Sequence, residues 1–242
     1  CIGGGSYTSG TFVESVLAQS IRLRGGKPHV LICDQELPAC FQTDIDWDRN
    51  EQNFAKNGPS YLMCQSCFRP AILMYKKIGC VVHKMSELIS INEKKEIEIL
   101  IKSLPLNQLK NFEYKNIPVG EHAYAGALRF YAKAELDDKF SEPILRRYLT
   151  AAIITLIVVE NLSKKLKIFE HTKVDKINKE NGSYILKTKE GSIRSKKIVV
   201  ATNGFYQEGL IPQMDGRVLP VISNIIVTRK LNEDELNAHN FK

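Results

Sequence analysis

The sequence predicts an α/β fold made of two parts that join near residue 160. At the start, an apparent strand end leads through a glycine-rich turn into a helical period, and a short apolar strand follows. These elements form a strand, helix, strand unit. Helical periods then continue up to Glu160, and short alternating segments separated by turn residues follow. A chain of 242 residues has room for one large or two small domains. We therefore predict domains over residues 1–160 and 161–242.

The elements of the first part follow from the spacing of its apolar residues. A helical period predicts a helix over Thr11 to Arg24, and a short apolar run predicts a strand over His29 to Cys33. Breakers such as Pro38 predict irregular chain over residues 35 to 68. The other helices predicted in this part cover Arg69 to Ile78, Ser86 to Leu104, Glu121 to Leu136 and Glu142 to Glu160.

The second part is predicted to consist of short strands. Asn181-Gly182 between two alternating segments is a strong hairpin signal, and Glu190-Gly191 marks the next turn. These signals predict a small antiparallel meander. The predicted strands cover Leu166 to Glu170, Val174 to Ile177, Tyr184 to Thr188, Ser192 to Arg194, Ile198 to Ala201 and Arg217 to Arg229.

The positive charge of the chain is concentrated in this second part. The formal net charge is +7, and residues 164–197 alone contain seven more basic than acidic side chains. These lysines alternate with apolar residues, which is typical of the solvated face of an antiparallel sheet. No aromatic stacking platform accompanies them, so we expect no nucleic-acid partner.

The remaining composition predicts a cytoplasmic chain without a membrane span. The most apolar run, Ala151 to Val159, is well short of the roughly 20 residues that cross a bilayer. All six cysteines lie within the first 80 residues, and no secretion signal accompanies them, which favours a reduced setting. Because the chain opens on Cys1 within an apparent strand end, we expect its start to be a truncation.

The glycine-rich turn over Gly3, Gly4, Gly5 and Ser6 is a candidate phosphate loop, since backbone N–H groups and a helix N-terminus attract anions. The dinucleotide fingerprint requires a third glycine at position 8, where the chain has Thr8. The fingerprint therefore fails. A structural tight turn and a loop near a sugar-nucleotide site both remain open for this segment.

Four segments of the first part resemble bacterial glycosyltransferase-like proteins of surface polysaccharide biosynthesis. They are Gly3 to Phe12, Leu31 to Cys40, the pair Cys64 and Cys67, and Val119 to Tyr131. The resemblance covers about residues 1 to 158 and implies a Rossmann-like N-terminal domain. Such proteins bind the sugar nucleotide mainly in a C-terminal domain, and no sequence resembling that domain follows here.

Four cysteines and one histidine are further candidate site residues. The upstream pair Cys33 and Cys40 and the CxxC pair Cys64 and Cys67 would together supply four ligands to zinc or an iron-sulfur cluster. Their spacing is not that of a compact zinc ribbon, so we interpret them as free thiols that pack as small apolar groups and predict no metal. His122, at a predicted helix start, is a candidate catalytic base or sugar-hydroxyl ligand, or a structural histidine.

In the second part, three segments resemble FAD-dependent oxidoreductases of the D-amino-acid-oxidase type. They are Ile168 to Val174 (IFEHTKV), Ile198 to Phe205 (IVVATNGF) and Arg217 to Thr228 (RVLPVISNIIVT), in the family's order over about 75 residues. The resemblance implies that Val174 contacts the adenine through its backbone. It also implies that Ala201, Thr202 and Gly204 lie against the dinucleotide.

This resemblance implies an FAD cofactor and a small-molecule amine or amino-acid substrate, oxidised by hydride transfer to the flavin. The family's glycine-rich pyrophosphate loop has no counterpart before Leu166, so the sequence predicts an incomplete FAD-binding α/β domain with a small antiparallel meander. Three functions follow as alternatives. They are an amine or amino-acid oxidoreductase that is incomplete in this chain, a glycosyltransferase-like protein, and an inactive fused fragment.

Overall fold

The computed structural model describes residues 8–46, 50–164, 170–202 and 207–217, together with the single residues 234 and 238. The chain divides into two compact units, Cys1–Leu166 and Lys167–Lys242. Both helices and strands are present among the described residues, which confirms a mixed α/β fold.

Seven helices and a parallel pair of strands form the described part of the first unit. Strands β1 and β2 pair in parallel, with His29 opposite Val81 and Ile32 opposite Lys84. Because parallel strands need a long crossover, two helices, α2 and α3, connect them. The bounds are α1 Thr8–Leu23, β1 His29–Ile32, α2 Glu51–Asn57, α3 Tyr61–Lys77, β2 Val81–Lys84, α4 Ile91–Ser103, α5 Leu106–Leu109, α6 Val119–Tyr131 and α7 Ser141–Ser163.

Strand β1 is covered on both faces. Val30 and Ile32 pack into a cluster with Ala18 of α1 and Tyr75 of α3. Leu31, which points to the opposite face, belongs to a second cluster that includes helices α4, α6 and α7. Burial on both faces explains why this strand reads as a continuous apolar run in the sequence.

Helix α7 is the centre of the larger cluster and contacts α2, α4, α5 and α6. Two adjacent arginines on it cap the ends of other helices. Arg146 donates to the carbonyl oxygens of Ile101 and Leu104 at the end of α4, and Arg147 donates to those of Ala55 and Lys56 at the end of α2. The last carbonyls of a helix lack partners within it, so these bonds hold both helix ends against α7.

The second unit contains the predicted meander. Strands β3 (Val174–Glu180), β4 (Ser183–Thr188) and β5 (Gly191–Ser195) form an antiparallel sheet in that order. Asn181 and Gly182 both have positive φ, at 47° and 74°, as a tight hairpin turn between right-twisted strands requires. A short 3₁₀ helix, Pro212–Met214, follows later in the chain.

Four parts of the structure differ from the sequence prediction, and the first is the four-residue helix α5, which was not predicted. The segment predicted to be irregular contains α2 and the start of α3, whose first N–H groups are capped by the side chains of Asn50 and Ser60. The short strand β2 was not predicted. Residues Ile198 to Ala201, predicted as a strand, form none, because Ser195 makes a local turn with Lys197 where the pairing with β4 ends.

The remaining predicted strands fall largely outside the described residues. The segment Leu166 to Glu170 is described only at Glu170, and Arg217 to Arg229 only at Arg217. No helix of the described residues is both long and apolar enough to cross a membrane.

Candidate functional sites

A cavity of about 720 Å³ lies in the first unit, beyond the carboxyl end of β1. Five segments form its walls: α1, the chain that follows β1, the start of α3, one face of α6 and the middle of α7. Ligands of open α/β sheets bind outside the carboxyl ends of the strands, so this is where a ligand site is expected. The lining residues are Glu14, Cys33, Gln35, Leu37, Ala39, Cys40, Phe41, Gln42, Met63, Cys64, Cys67, His122, Ala123, Ala125, Gly126, Arg129, Tyr148, Ala151, Ala152 and Thr155.

Hydrogen bonds between the ends of the two parallel strands position the part of the cavity wall that follows β1. The Asp34 carboxylate accepts hydrogen bonds from the Ser86 backbone N–H, at 3.0 Å, and from the Ser86 hydroxyl, at 2.6 Å. Ser86 lies just after β2, so these bonds tie together the carboxyl ends of the two parallel strands. This places Cys33, the residue between β1 and Asp34, at the cavity wall.

A buried polar cluster joins the wall loop to α6 and α7. Thr43 is 0% exposed, and its hydroxyl donates to the Cys40 carbonyl at 2.7 Å and lies 2.8 Å from the Tyr148 hydroxyl. Arg129 Nη2 donates to the Thr43 carbonyl at 2.7 Å and to the Cys40 carbonyl at 3.3 Å. Desolvation in this cluster raises the pKa of Tyr148 to about 12, so its hydroxyl stays protonated at neutral pH.

Gly126 sets the close approach of α6 to α7 beside this cluster. A Cβ atom on Gly126 would lie 2.5 Å from Cδ1 of the Tyr148 ring, which is closer than atoms can approach. Only glycine therefore lets the two helices pack with Tyr148 between them. The same approach positions Ala125 and Ala151 at the cavity.

All four predicted cysteine candidates line this one cavity. Burial raises the pKa of the Cys33 thiol, and burial together with the neighbouring Cys33 and Cys67 raises that of Cys40 to about 11. Metal ligation requires thiolates, which this environment disfavours. Within the described ranges, no group of three or more His, Cys, Asp or Glu side chains is arranged to hold a metal ion.

The CxxC pair lies at the start of a helix, which the sequence did not predict. Cys64 is in the first turn of α3 and Cys67 in the second, after the N-cap Ser60, whose hydroxyl accepts from the Met63 N–H at 3.2 Å. Both thiols are half-buried. Among the described cysteines, none forms a disulfide.

His122, the histidine singled out in the sequence, also lines the cavity. It lies in the first turn of α6, and its side chain is exposed. Gly120, in the same turn, has its Cα against the Leu109 carbonyl, where a Cβ would lie only 2.3 Å from the oxygen. Helix α6 is thereby held close to the residues after α5, which fixes where its first turn, and His122, lie.

The residues predicted to contact FAD lie in the second unit. Val174 is the first residue of β3, is half-buried and pairs with Thr188 of β4. Ala201 and Thr202 are exposed and belong to no helix or strand. Gly204, like the candidate phosphate loop Gly3, Gly4, Gly5 and Ser6, lies outside the described residues.

These residues meet only part of what FAD requires. The small side chain of Ala201 permits close approach of a ligand to the backbone. A pyrophosphate, however, is usually held by a glycine-rich turn at a helix N-terminus, and residues 170–202 and 207–217 contain no α-helix. The described residues of this unit therefore do not by themselves form a flavin site.

Neither a protein-family model, nor a curated protein, nor a solved structure matches this chain.

Sequence reasoning missed the polar cluster that shapes the cavity. Thr43 and Tyr148 are 105 residues apart in the chain, and Arg129 reaches the same carbonyls from a different helix. The sequence contains a weak signal, since an arginine and a tyrosine on the apolar faces of predicted helices need buried partners. It does not say which backbone carbonyls provide them.

Proposed function

We propose that the chain represents an FAD-dependent oxidoreductase of amines or amino acids, of which its second unit holds an incomplete part. The observation that carries this proposal is the three-stranded meander β3-β4-β5. It lies between the segment that ends at Val174 and the segment that contains Ala201 and Thr202, in the order of the family that these segments resemble.

In this proposal the chain's own residues receive the adenosine end of the cofactor. The backbone of Val174 contacts the adenine, while Ala201, Thr202 and Gly204 give the dinucleotide a small, glycine-containing surface. FAD, when bound, supplies the hydride acceptor for oxidation of a C–N bond. The substrate is a small amine or amino acid.

A competition experiment tests this assignment. FAD is titrated into the full chain while its fluorescence anisotropy is followed, and ADP and riboflavin are then added as competitors. Because the contacts are to the adenosine half, we expect ADP to displace FAD and riboflavin to fail. A chain that binds neither FAD nor ADP would overturn the proposal and leave the inactive fused fragment as the interpretation.

A pair of variants locates the site. Ala201→Arg places a long side chain against the proposed dinucleotide and is expected to weaken FAD binding at least about tenfold, a cost of about 1.4 kcal/mol. Ser192→Arg adds the same side chain at an exposed position of β5 and is the control. Equal affinities of the two variants would argue against the site.

The cavity of the first unit favours a second function, that of a glycosyltransferase-like protein of surface polysaccharide biosynthesis. The supporting observation is that the cavity lies beyond the carboxyl end of β1 and has His122 among its lining residues. In this proposal, His122 contacts a sugar hydroxyl of an acceptor that enters from solvent.

Saturation-transfer NMR with a panel of neutral oligosaccharides tests this second function. We expect transfer to sugar protons with the wild-type chain and a loss of most of it with His122→Ala. Glu121→Ala changes the neighbouring exposed residue of α6 and should bind as the wild type does. Absence of transfer to every saccharide would contradict the proposal.

A further inference from the structure

We propose that the cavity beyond β1 binds an uncharged, largely apolar small molecule. This assignment concerns the ligand chemistry of the first unit and goes beyond both proposed functions. It rests on the walls of the cavity alone, and it holds whether or not the unit belongs to the glycosyltransferase-like proteins.

The charged side chains at the cavity, Glu14 and Arg129, already have partners in the protein. Glu14 accepts a hydrogen bond from the Tyr75 hydroxyl at 3.1 Å. Arg129 donates to two backbone carbonyls, and its guanidinium lies 4.6 Å from the centre of the Phe41 ring. A charged ligand would have to compete with these contacts, whereas a neutral one leaves them intact.

Three other polar side chains of the wall, Thr155, Tyr148 and Gln35, also form hydrogen bonds within the protein. The Thr155 hydroxyl donates to the Ala151 carbonyl at 2.8 Å, and the Tyr148 hydroxyl bonds to Thr43. The Gln35 amide donates to the Tyr61 carbonyl at 3.4 Å. Apart from Gln42 and His122, what these contacts leave facing the cavity is mainly alkyl and sulfur surface.

The walls of the cavity are built largely of small and apolar side chains and enclose a volume that suits a small molecule. Helices α6 and α7 contribute Ala125, Gly126, Ala151 and Ala152, whose small side chains leave the volume open. Leu37 and Met63 complete the apolar surface from the other side, and methionine adapts its shape to irregular ligands. A volume of about 720 Å³ falls within the range of sites that bind small organic molecules.

The burial of Cys33 and Cys40 bears on the same preference for a neutral ligand. Desolvation is the main cause of the raised pKa values of Cys33 and Cys40. A wall that disfavours a thiolate also disfavours a ligand anion, because both lose hydration on entry. The protonated thiols pack as small apolar groups and extend the alkyl surface.

The test uses the full chain and the neutral fluorescent probe N-phenyl-1-naphthylamine, whose emission rises in apolar surroundings. We expect a saturable increase in emission on titration. Ala152→Trp fills the cavity from α7 and should weaken binding at least about tenfold, a cost of about 1.4 kcal/mol. Val159→Trp introduces the same side chain on the exposed side of α7 and should bind as the wild type does.

The charge of the ligand is tested with 1-anilinonaphthalene-8-sulfonate, a related probe that carries a sulfonate. Its binding at the cavity, measured as displacement of the neutral probe, should be at least about tenfold weaker. Equal or tighter displacement by the anionic probe would overturn the proposal, as would equal binding of the neutral probe by the two tryptophan variants. Circular dichroism of each variant establishes that it is folded.

A second measurement remains informative if Ala152→Trp fails to fold. The neutral thiol reagent N-ethylmaleimide is applied to the wild-type chain with and without the neutral probe, and modification of each cysteine is followed by peptide mass spectrometry. Protection of Cys64 and Cys67, which are half-buried and line the cavity, is expected. Cys80 should be unchanged because it belongs to the other side of the sheet. Equal rates with and without the probe would contradict binding in the cavity.

The outcome is distinguishable from failure of the glycosyltransferase proposal. Binding of the neutral probe without saccharide binding retains the cavity assignment and removes the acceptor function. If saccharides bind to the wild-type chain but not to His122→Ala, and the neutral probe does not bind, the acceptor function is retained and the cavity assignment is removed.

Discussion

At the scale of single residues, Thr43 is the side chain on which the cavity wall depends. It is fully buried and connects the loop after β1 to Tyr148 of α7. We predict that Thr43→Val, which keeps the shape and removes the hydroxyl, lowers the free energy of unfolding by about 1–3 kcal/mol. Urea denaturation measures the change.

Thr43→Ser is the control for this prediction because it keeps the hydroxyl. It should lose less stability than the valine variant. If the serine variant is the less stable of the two, the methyl group and not the hydrogen bonds determines the role of Thr43.

The raised pKa of Cys40 leads to a separate prediction, that the stability of the protein depends on pH in the alkaline range. Burial and neighbouring thiols raise its pKa from 9.0 to about 11, so the unfolded chain releases this proton at lower pH than the folded chain does. Between about pH 9 and pH 11 the unfolded state therefore binds fewer protons, and stability falls as the pH rises.

The matched variant is Cys40→Ala, which removes the titrating group. Its free energy of unfolding should fall less steeply over the same pH interval, as measured by urea denaturation at several pH values. Parallel profiles for the two proteins would show that Cys40 keeps an ordinary pKa in the folded state.

At the scale of secondary-structure elements, the meander of the second unit depends on one turn. Gly182 has φ of 74° and open space around its Cα, so a side chain there is strained by the backbone and not by contacts. We predict that Gly182→Ala lowers the stability of the meander by about 1 kcal/mol. Hydrogen exchange of the amides of β3 and β4 measures it.

Gly191, in the next turn, is the matched control. It also has open space around its Cα but does not require a positive φ. Gly191→Ala should therefore leave exchange nearly unchanged. Equal destabilisation by the two substitutions would contradict the turn geometry.

The elements also show what the sequence reveals and what it hides. The long helices α1, α4, α6 and α7 and the strands β3 to β5 were predicted near their observed positions, because each carries a clear apolar period or a turn signal. Helix α2 and the first turns of α3 were missed because Pro38 and Pro59 in the same segment suggested loop. Strand β2 was missed because only two of its four residues, Val81 and Val82, are apolar and none is fully buried.

The candidate sites were predictable only in part. The four cysteines and His122 were chosen by residue type, and the structure brings all five to one cavity. The cavity itself was not predictable. Its walls come from segments that are far apart in sequence, and its volume depends on alanine and glycine residues, whose types do not indicate a binding site. The predicted strand Ile198 to Ala201 was wrong because a short apolar run does not by itself supply a partner strand.

At the scale of the whole molecule, the charge is unevenly distributed along the chain. The net charge of +7 equals the excess of basic residues over residues 164–197, and the lysines described on the meander are exposed. Because these lysines alternate along strands without stacked aromatic rings, we predict no specific binding of duplex or single-stranded nucleic acid at physiological salt. A mobility-shift assay measures this, and a complex that persists at about 0.15 M salt would contradict it.

The two compact units carry separate proposals, a ligand cavity in the first and the adenosine end of a flavin in the second. The second is the more specific, because it names a cofactor and a reaction class. Its most direct test is equilibrium dialysis of the full chain against FAD, with the flavin absorbance compared on the two sides of the membrane. The proposal predicts an excess of flavin on the protein side that ADP removes, and equal flavin on both sides would contradict it.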